Sequence, residues 1–386
     1  MQDYTFRMTV TETSSGLPKA MGLRIGFARN ALKLTQDKLS EVLGFSDRQT
    51  LSAIENGERR VKPEELVALS EALGRPVDWF MDPFVVAGEG TFSWRVNDSV
   101  TDEVLRSFEE RSGAWVGLLR FLRASKRERL KPFSNILKMD ARATFEEATA
   151  MGEAVAADLE LGHVPAERLI EQVESRLDIP VLFVDGPSPT GEISGAMCRL
   201  PDLGVILINR QELPARRHFD LAHELFHALT WDAMEPEHRE SPTPDESSRK
   251  QGRRYRIERL ADNFAAGLLM PWASLKRVID RERLADTEHL AEVAKLLQVS
   301  TKSLAYRLMN AQLIDKTTCE ALCKMRCPQI MGPTPKRFSQ SFVKHVHEGI
   351  DDGYIATRKT AVTLGLTISQ LAELFEEHDL PVPFAT

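Results

Sequence analysis

The sequence predicts a mainly α chain with a small β-sheet, an α+β fold in three parts. An all-helical N-terminal unit comes first, then a central region with the sheet, then a helical C-terminal region. Three observations predict it. Between Gly22 and Pro83, short apolar-periodic runs alternate with capping residues and glycine stops. Between Ile179 and Arg210, β-branched and aromatic runs replace that periodicity. From Pro214 onward helical spacing returns and, apart from one polar stretch, continues to the end.

Residues 1–18 are polar and read as a flexible tail. In the next segment, 19–83, "LRIGFARNALKL" carries Leu23, Phe27 and Leu32 at helical spacing. "TQDKLSEVLG" opens on Thr35 as N-cap and stops at Gly44; "SDRQTLSAIENG" opens on Ser46 and stops at Asn56-Gly57. "KPEELVALSEALG" places Pro63 in a first turn, and "PVDWFMD" supplies a fifth short helix. Residues 84–145 read as a linker and helical connector, with the glycine-containing "VVAGEGTFSWRVN" as accessible chain. The central domain, 146–275, has two helices, then three strands in "IPVLFVDG", "ISGAMCRL" and "GVILINR". A helix from about Pro214 to Thr230 follows. The polar, Pro/Ser-rich "DAMEPEHRESPTPDESSRKQG" reads as a loop, and "RRYRIERLADNFAAGLLM" as a helix stopped by Pro271. Residues 276–386 hold two further stretches with helix-turn-helix rhythm, suited to sensing or dimerisation.

Composition limits the function classes. The 386 residues are 42% hydrophobic and 28% charged, an ordinary globular balance. A formal charge of −7 excludes a chain that coats nucleic acid over its whole surface, so any DNA contact is local. No apolar run reaches the roughly 18–20 residues that span a bilayer. "MQDYTFRMTV" does not look like a secretion leader, and four cysteines, three of them in "CEALCKMRC", are no disulfide framework. A reducing cytoplasm is the expected setting. Cys319, Cys323 and Cys327 recur every four residues and read as a buried small-residue stripe on one helix face; "HVHEG", with His345 and His347, reads as solvated.

"HFDLAHELFHAL" contains His223, Glu224 and His227 as HExxH. Residues four apart share one helix face, so both imidazoles can meet one ion while Glu224 reaches a water on it. The ion acidifies that water and the carboxylate takes its proton, which is the zincin arrangement. From composition, such a motif is expected by chance on the order of 0.02 times in a chain of this length. Phe219, Ala222, Phe226 and Leu229 supply packing around the polar trio. A catalytic zinc takes a third protein ligand from a separate element. The polar loop offers Asp232, Glu235, Glu237 and His238, but a loop positions ligands poorly. The helix after it offers Glu258, followed by Ala261, Ala265 and Ala266, small residues that permit close helix approach. Asp262, one turn on, is an alternative ligand or a partner of one; Asp220 is a second such partner. Tyr255, Arg254 and His238 are weak candidates for stabilising an oxyanion.

"RRHFDLAHELFHAL" followed by "IERLADNFAAGLLMP" resembles the ImmA/IrrE metallopeptidases (DUF955) over roughly residues 150–275. The resemblance implies zinc held by His223, His227 and Glu258, with Glu224 as general base. "LTQDKLSEVLGFSDRQTLSAIENGERRVKPEELVALSEALG" resembles the lambda-repressor-like helix-turn-helix of XRE/Cro-type repressors, on Thr35-Gln36, Leu39, Gly44, Leu51-Ser52 and Ile54-Glu55-Asn56-Gly57. One departure stands out: Gly44 to Glu55 is one residue longer than the usual pattern. In this fold the second motif helix enters the major groove. That implies Gln36, Asp47, Arg48, Gln49 and Thr50 near the DNA, Arg48 suiting guanine and Gln49 adenine, with Arg59, Arg60 and Lys62 on phosphates. From Ala20 to Lys62, eight Lys/Arg oppose five Asp/Glu, a local +3.

The two resemblances imply a DNA-binding regulator fused to a zinc endopeptidase. It would cut an XRE-type repressor, or itself, on an inducing signal such as single-stranded DNA. A duplex operator, a protein substrate and a homodimer are the implied partners. The alternative is a regulator whose peptidase-like domain binds a small effector, for example an acyl-CoA, without proteolysis. Retention of Glu224 separates the two, since a binding fold has no need of a general base.

Overall fold

The computed structural model describes residues 16–126, 137–187, 193–240, 252–325 and 332–385. The expected tail up to residue 15 and Cys327 lie outside these residues. The chain divides into two compact units. One contains residues to Thr91 together with Glu109–Phe121; the other contains Phe92–Phe108 and the chain from Leu122 onward.

The first unit has the five expected helices: α1 (Gly16–Ala31), α2 (Gln36–Val42), α3 (Arg48–Glu55), α4 (Pro63–Leu73) and α5 (Val77–Met81). Ile25, Leu39, Leu51, Ile54, Leu69 and Phe80 form its core, each fully buried. Thr35 caps α2 as expected, its Oγ1 accepting from the Lys38 amide at 3.1 Å. The start of α3 differs from expectation. Asp47, not Ser46, is the N-cap, and its carboxylate accepts from the Thr50 amide at 2.9 Å. Gly44 turns the chain at φ 70°, where a side chain would be strained, so the extra residue is taken up in the turn before Asp47. Arg24 is buried, with Glu89 and Asp82 the acids that act on it. Its guanidinium donates to the carbonyls of Phe80 at 2.8 Å and Val85 at 2.7 Å, tying α1 to the end of α5.

The second unit is built on a five-stranded sheet of order β2-β4-β3-β1-β5: β1 (Thr91–Val96), β2 (Val181–Val184), β3 (Ile193–Leu200), β4 (Leu203–Asn209) and β5 (Arg239–Glu240). β2, β3 and β4 are the three expected strands; β4 runs parallel to β2 and antiparallel to β3. β1 and β5 correct the sequence reading. The supposed accessible linker contains β1, with Phe92, Trp94 and Val96 buried. The supposed loop contains β5, which pairs parallel to β1 in the register Trp94↔Arg239 and Arg95↔Glu240.

Helices enclose the sheet: α6 (Asp102–Ser125, which also lends its middle to the first unit), α7 (Phe145–Asp158), α8 (Pro165–Leu177), α9 (Pro214–Thr230) and α10 (Arg253–Leu269). α9 packs on β3 and β4 and against α10, which packs in turn on α7. Beyond them lie α11 (Trp272–Val278), α12 (Thr287–Leu296), α13 (Thr301–Asn310), α14 (Lys316–Lys324), α15 (Gln340–Asp351), α16 (Thr357–Leu364) and α17 (Ile368–Glu377). The hydrophobic core does not break at residue 275: Leu290, Leu304, Leu308 and Leu322 join Phe226, Phe264 and Leu268. Cys319 sits in this core; burial, with Cys323 beside it, pushes its thiol up to about 11. His345 and His347 are half-buried, and His347 meets Phe375 edge-on at 5.4 Å. Among the described residues no helix is long and apolar enough to cross a membrane.

The α7–α10 contact sets the depth of the site. A Cβ on Gly267 would lie 2.1 Å from the Thr149 carbonyl oxygen, and one on Gly152 would lie 2.2 Å from that of Phe264. Both obstacles are backbone, so neither can step aside. Gly267→Ala is expected to cost about 1–3 kcal/mol, the usual range for overpacking. Denaturant unfolding of the purified variant beside wild type measures it.

Candidate metal centre and recognition helix

α9 begins with Pro214 at its first position and is buried throughout from Asp220 to Thr230. It lies between the sheet and α10, so its polar residues face protein and not water. His223, Glu224 and His227 are at most 1% exposed. The four-residue spacing works as expected: the two Nε2 atoms stand 3.1 Å apart.

α10 brings Glu258 to this pair. Its carboxylate lies 3.3 Å from His223 Nε2 and 3.7 Å from His227 Nε2. Asp262, one turn on, faces the other nitrogen of His223, Nδ1, at 3.1 Å. A carboxylate there orients the ring and leaves the Nε2 lone pair turned toward the cluster. Asp262 therefore stands behind a ligand and not among the ligands. Asp220 touches neither imidazole. It lies between Arg95 Nε at 3.2 Å and Arg216 Nε at 2.9 Å.

Two members were missed in the sequence. Arg95, from β1, is buried and also faces Asp262 at 3.9 Å. Glu240, from β5, places Oε2 3.4 Å from His227 Nε2 and 3.8 Å from His223 Nε2. The loop residues considered earlier lie elsewhere. Asp232 pairs with Arg199, Glu237 pairs with Arg254 at the surface, and Glu235 and His238 are exposed. Arg254 is thereby removed as an oxyanion candidate, and Tyr255 is only half-buried. No sequence signal marked Glu240: its strand is two residues long and its partner strand lies far back in the chain.

His223, His227, Glu240 and Glu258 each offer one ligand atom, all within 4.8 Å of one another. A tetrahedral zinc with bonds of about 2.0–2.1 Å holds its ligand atoms about 3.3 Å apart. The observed separations of 3.1–3.8 Å bracket that value. Both oxygens of Glu240 and of Glu224 are buried without a hydrogen-bond donor, as is His227 Nδ1. The residues present thus fit zinc.

Electrostatics agree. Asp220, Glu224, Glu258 and Asp262 act on Arg95, Asp220 also meets Arg216, and Glu240 lies with the histidines, a surplus of negative charge largely withdrawn from water. Burial, with Glu240 beside it, pushes the Glu224 carboxyl up to about 8. Burial likewise raises Glu258. For Glu240 burial acts upward, but His227 and His223 hold it well below the usual carboxylate range. Burial would lower His223, as would Arg95, yet Asp262, Glu240 and Glu258 raise it well above its usual value. A divalent cation at the centre would replace protons in meeting these charges.

In the first unit, the expected DNA contacts separate into two groups. Gln36 donates to Glu55 at 2.7 Å, and Arg29 grips the same carboxylate at 2.7 and 3.0 Å. Arg59 is paired with Glu65 at 2.7 and 2.9 Å. Asp47 and Thr50 bond each other at the cap. Gln36, Asp47, Thr50 and Arg59 are thus engaged within the unit. Arg48 and Gln49, in the first turn of α3, and Arg60 and Lys62 beyond it are exposed.

Residues 25–80 match the family model of a helix-turn-helix, and residues 174–309 match that of the IrrE N-terminal-like domain. The chain fuses these two modules. No curated protein matches it significantly. The IrrE-like match covers β2, β3, β4, α9, β5 and α10, hence all four clustered residues, and continues through α13. The two modules together describe a DNA-binding regulator with a peptidase-like domain.

Purified full-length protein is expected to carry about one zinc per chain, and His223→Ala or Glu258→Ala to lower that occupancy in elemental analysis. In a selection from random duplexes, Arg48→Ala is expected to relax preference at one base, worth about 1–3 kcal/mol. Arg60→Ala is expected to weaken all sequences alike and to flatten the salt dependence.

Proposed function

We propose that the chain is a DNA-binding regulator whose zinc endopeptidase cuts an XRE-type repressor, its own N-terminal module included, on an inducing signal such as single-stranded DNA. One observation carries the reading: Glu224 is fully buried beside His223 and His227, and no donor meets either carboxylate oxygen. A binding-only pocket gains nothing from an orphaned carboxyl, which costs free energy to bury.

His223, His227 and Glu258 would hold the ion, and Asp262 would orient His223. Zinc, when bound, supplies Lewis acidity that activates a water and polarises the peptide carbonyl. Glu224 takes the proton from the water and hands it to the leaving amine. With zinc bound, its positive charge would favour the ionised form of Glu224, which burial otherwise disfavours. Arg95 helps hold Asp262, behind His223, in its charged form.

The tether favours a substrate in the same chain, because the helix-turn-helix is present at high effective concentration. Cleavage within or just after it would separate the DNA reader from the rest of the chain. Residues 92–96 are a poor cut site, since they are buried in the sheet. If the C-terminal helices carry dimer contacts, as the sequence reading expects, a cut would also end paired binding to an operator.

The test compares zinc-loaded full-length protein with Glu224→Gln, each with single-stranded DNA, duplex DNA or neither, followed by mass spectrometry. Fragments are expected from the unmodified chain with an inducer, and none from Glu224→Gln, which keeps its zinc. An intact chain beside a co-expressed repressor that is cut leaves the peptidase and refutes self-cleavage. No cleavage of either under any condition supports effector binding without proteolysis.

A further inference from the structure

A catalytic zinc site keeps one coordination position open, with three protein ligands and a fourth place for water or substrate. Here four side chains converge, two imidazoles and two carboxylates. We propose that Glu240 is a fourth protein ligand, which closes the zinc shell and holds the peptidase latent until β5 leaves. The inference rests on the zinc site proposed above.

The geometry singles out Glu240. Its Oε2 lies at near-tetrahedral distance from both Nε2 atoms, and the Glu258 carboxylate meets the same two atoms through its Oε2 and Oε1. Its side chain is 1% exposed, and no hydrogen-bond donor reaches either oxygen. The two imidazoles, at 3.4 and 3.8 Å, are beyond good hydrogen-bond length. Arg95, the buried cation of the site, is committed to Asp220 and Asp262. An ionised carboxylate this deep needs positive charge in direct contact, and a metal at the cluster centre supplies it.

The outer end of β5 is held by weaker means. The Trp94 amide donates to the His238 carbonyl at 2.9 Å. The Arg239 guanidinium donates to the Val100 carbonyl at 2.7 Å and pairs with the exposed Asp102. Among the described residues, the ion pair at this end involves the exposed Asp102, and such pairs contribute little in water. Glu240 is thus bound tightly through the metal at one end and lightly through Arg239 at the other. Departure of β5 would open the fourth position and also free the edge of β1, where an extended peptide can pair.

The test uses full-length protein with cobalt in place of zinc, read by visible absorption, and with zinc, read by competition against a chromophoric chelator. Acetohydroxamate probes for an open position. In the unmodified chain a four-ligand tetrahedral spectrum is expected, unchanged by millimolar acetohydroxamate. Glu240→Gln and Glu240→Ala are expected to alter the spectrum, bind acetohydroxamate and lose at least about tenfold in zinc affinity. Arg239→Ala, outside the cluster, is expected to admit acetohydroxamate while keeping the unmodified spectrum without it. Thermal melts in chelator check folding: both Glu240 variants are expected to melt no lower than the unmodified chain, because they remove an uncompensated buried carboxylate. Equal zinc affinity and identical spectra in the unmodified and Glu240 chains, with His223→Ala losing metal, overturn the fourth-ligand proposal alone. No loss of metal in His223→Ala overturns the zinc site itself.

Discussion

Five carboxylates cannot stay withdrawn from water beside two imidazoles unless positive charge is built in with them. That constraint shapes the second unit. Arg95 comes from β1, Arg216 from one turn before Asp220, and the remaining imbalance is concentrated where His223, His227, Glu240 and Glu258 meet. The surrounding packing serves this arrangement. α10 must lie deep enough for Glu258 to reach the α9 histidines, and Gly152 and Gly267 let it do so by allowing backbone to touch backbone between α7 and α10. The sheet forms the opposite wall, and the last two strands at one side of it, β1 and β5, bring Arg95 and Glu240 to the site.

The same chemistry explains why the cluster tolerates a carboxylate such as Glu224 in a dry place. Alone, Glu224 would hold its proton at neutral pH. A cation beside it makes the charged form accessible, whereas a fourth anionic ligand keeps it disfavoured. On the proposed zinc site, metal binding and access to the reaction position would both pass through Glu240, which a strand of two residues carries.

The helix-turn-helix unit uses a smaller version of the same device. Glu55 receives both Arg29 and Gln36, locking α1, α2 and α3 together around one partly buried acid. Arg59 and Glu65 do the same at the entry to α4. These pairs withdraw polar groups that the sequence alone offers to DNA, and leave Arg48, Gln49, Arg60 and Lys62 free at the surface. The exposed basic side chains of this segment are thus fewer than its local charge implies.

Local chemistry in the sequence determined a good deal: five short helices bounded by Thr35, Gly44, Pro63 and their like, three apolar strands, and HExxH on one helix face. These depend on near-neighbour effects, namely capping, periodicity and the four-residue repeat, all written within a dozen residues. The glutamate of the next long helix was legible for the same reason, since small residues mark where helices approach. Tertiary structure alone decided the rest. β1 read as linker because "GEGTFSWRVN" has glycines and charges, yet burial on the sheet outweighs that propensity. Asp262 could have been a ligand or a ligand's partner until the direction of the His223 ring was fixed. Glu240 was invisible because its importance comes from pairing with a strand more than a hundred residues away. A parallel pairing over that distance is set by the fold as a whole and leaves no local pattern to read.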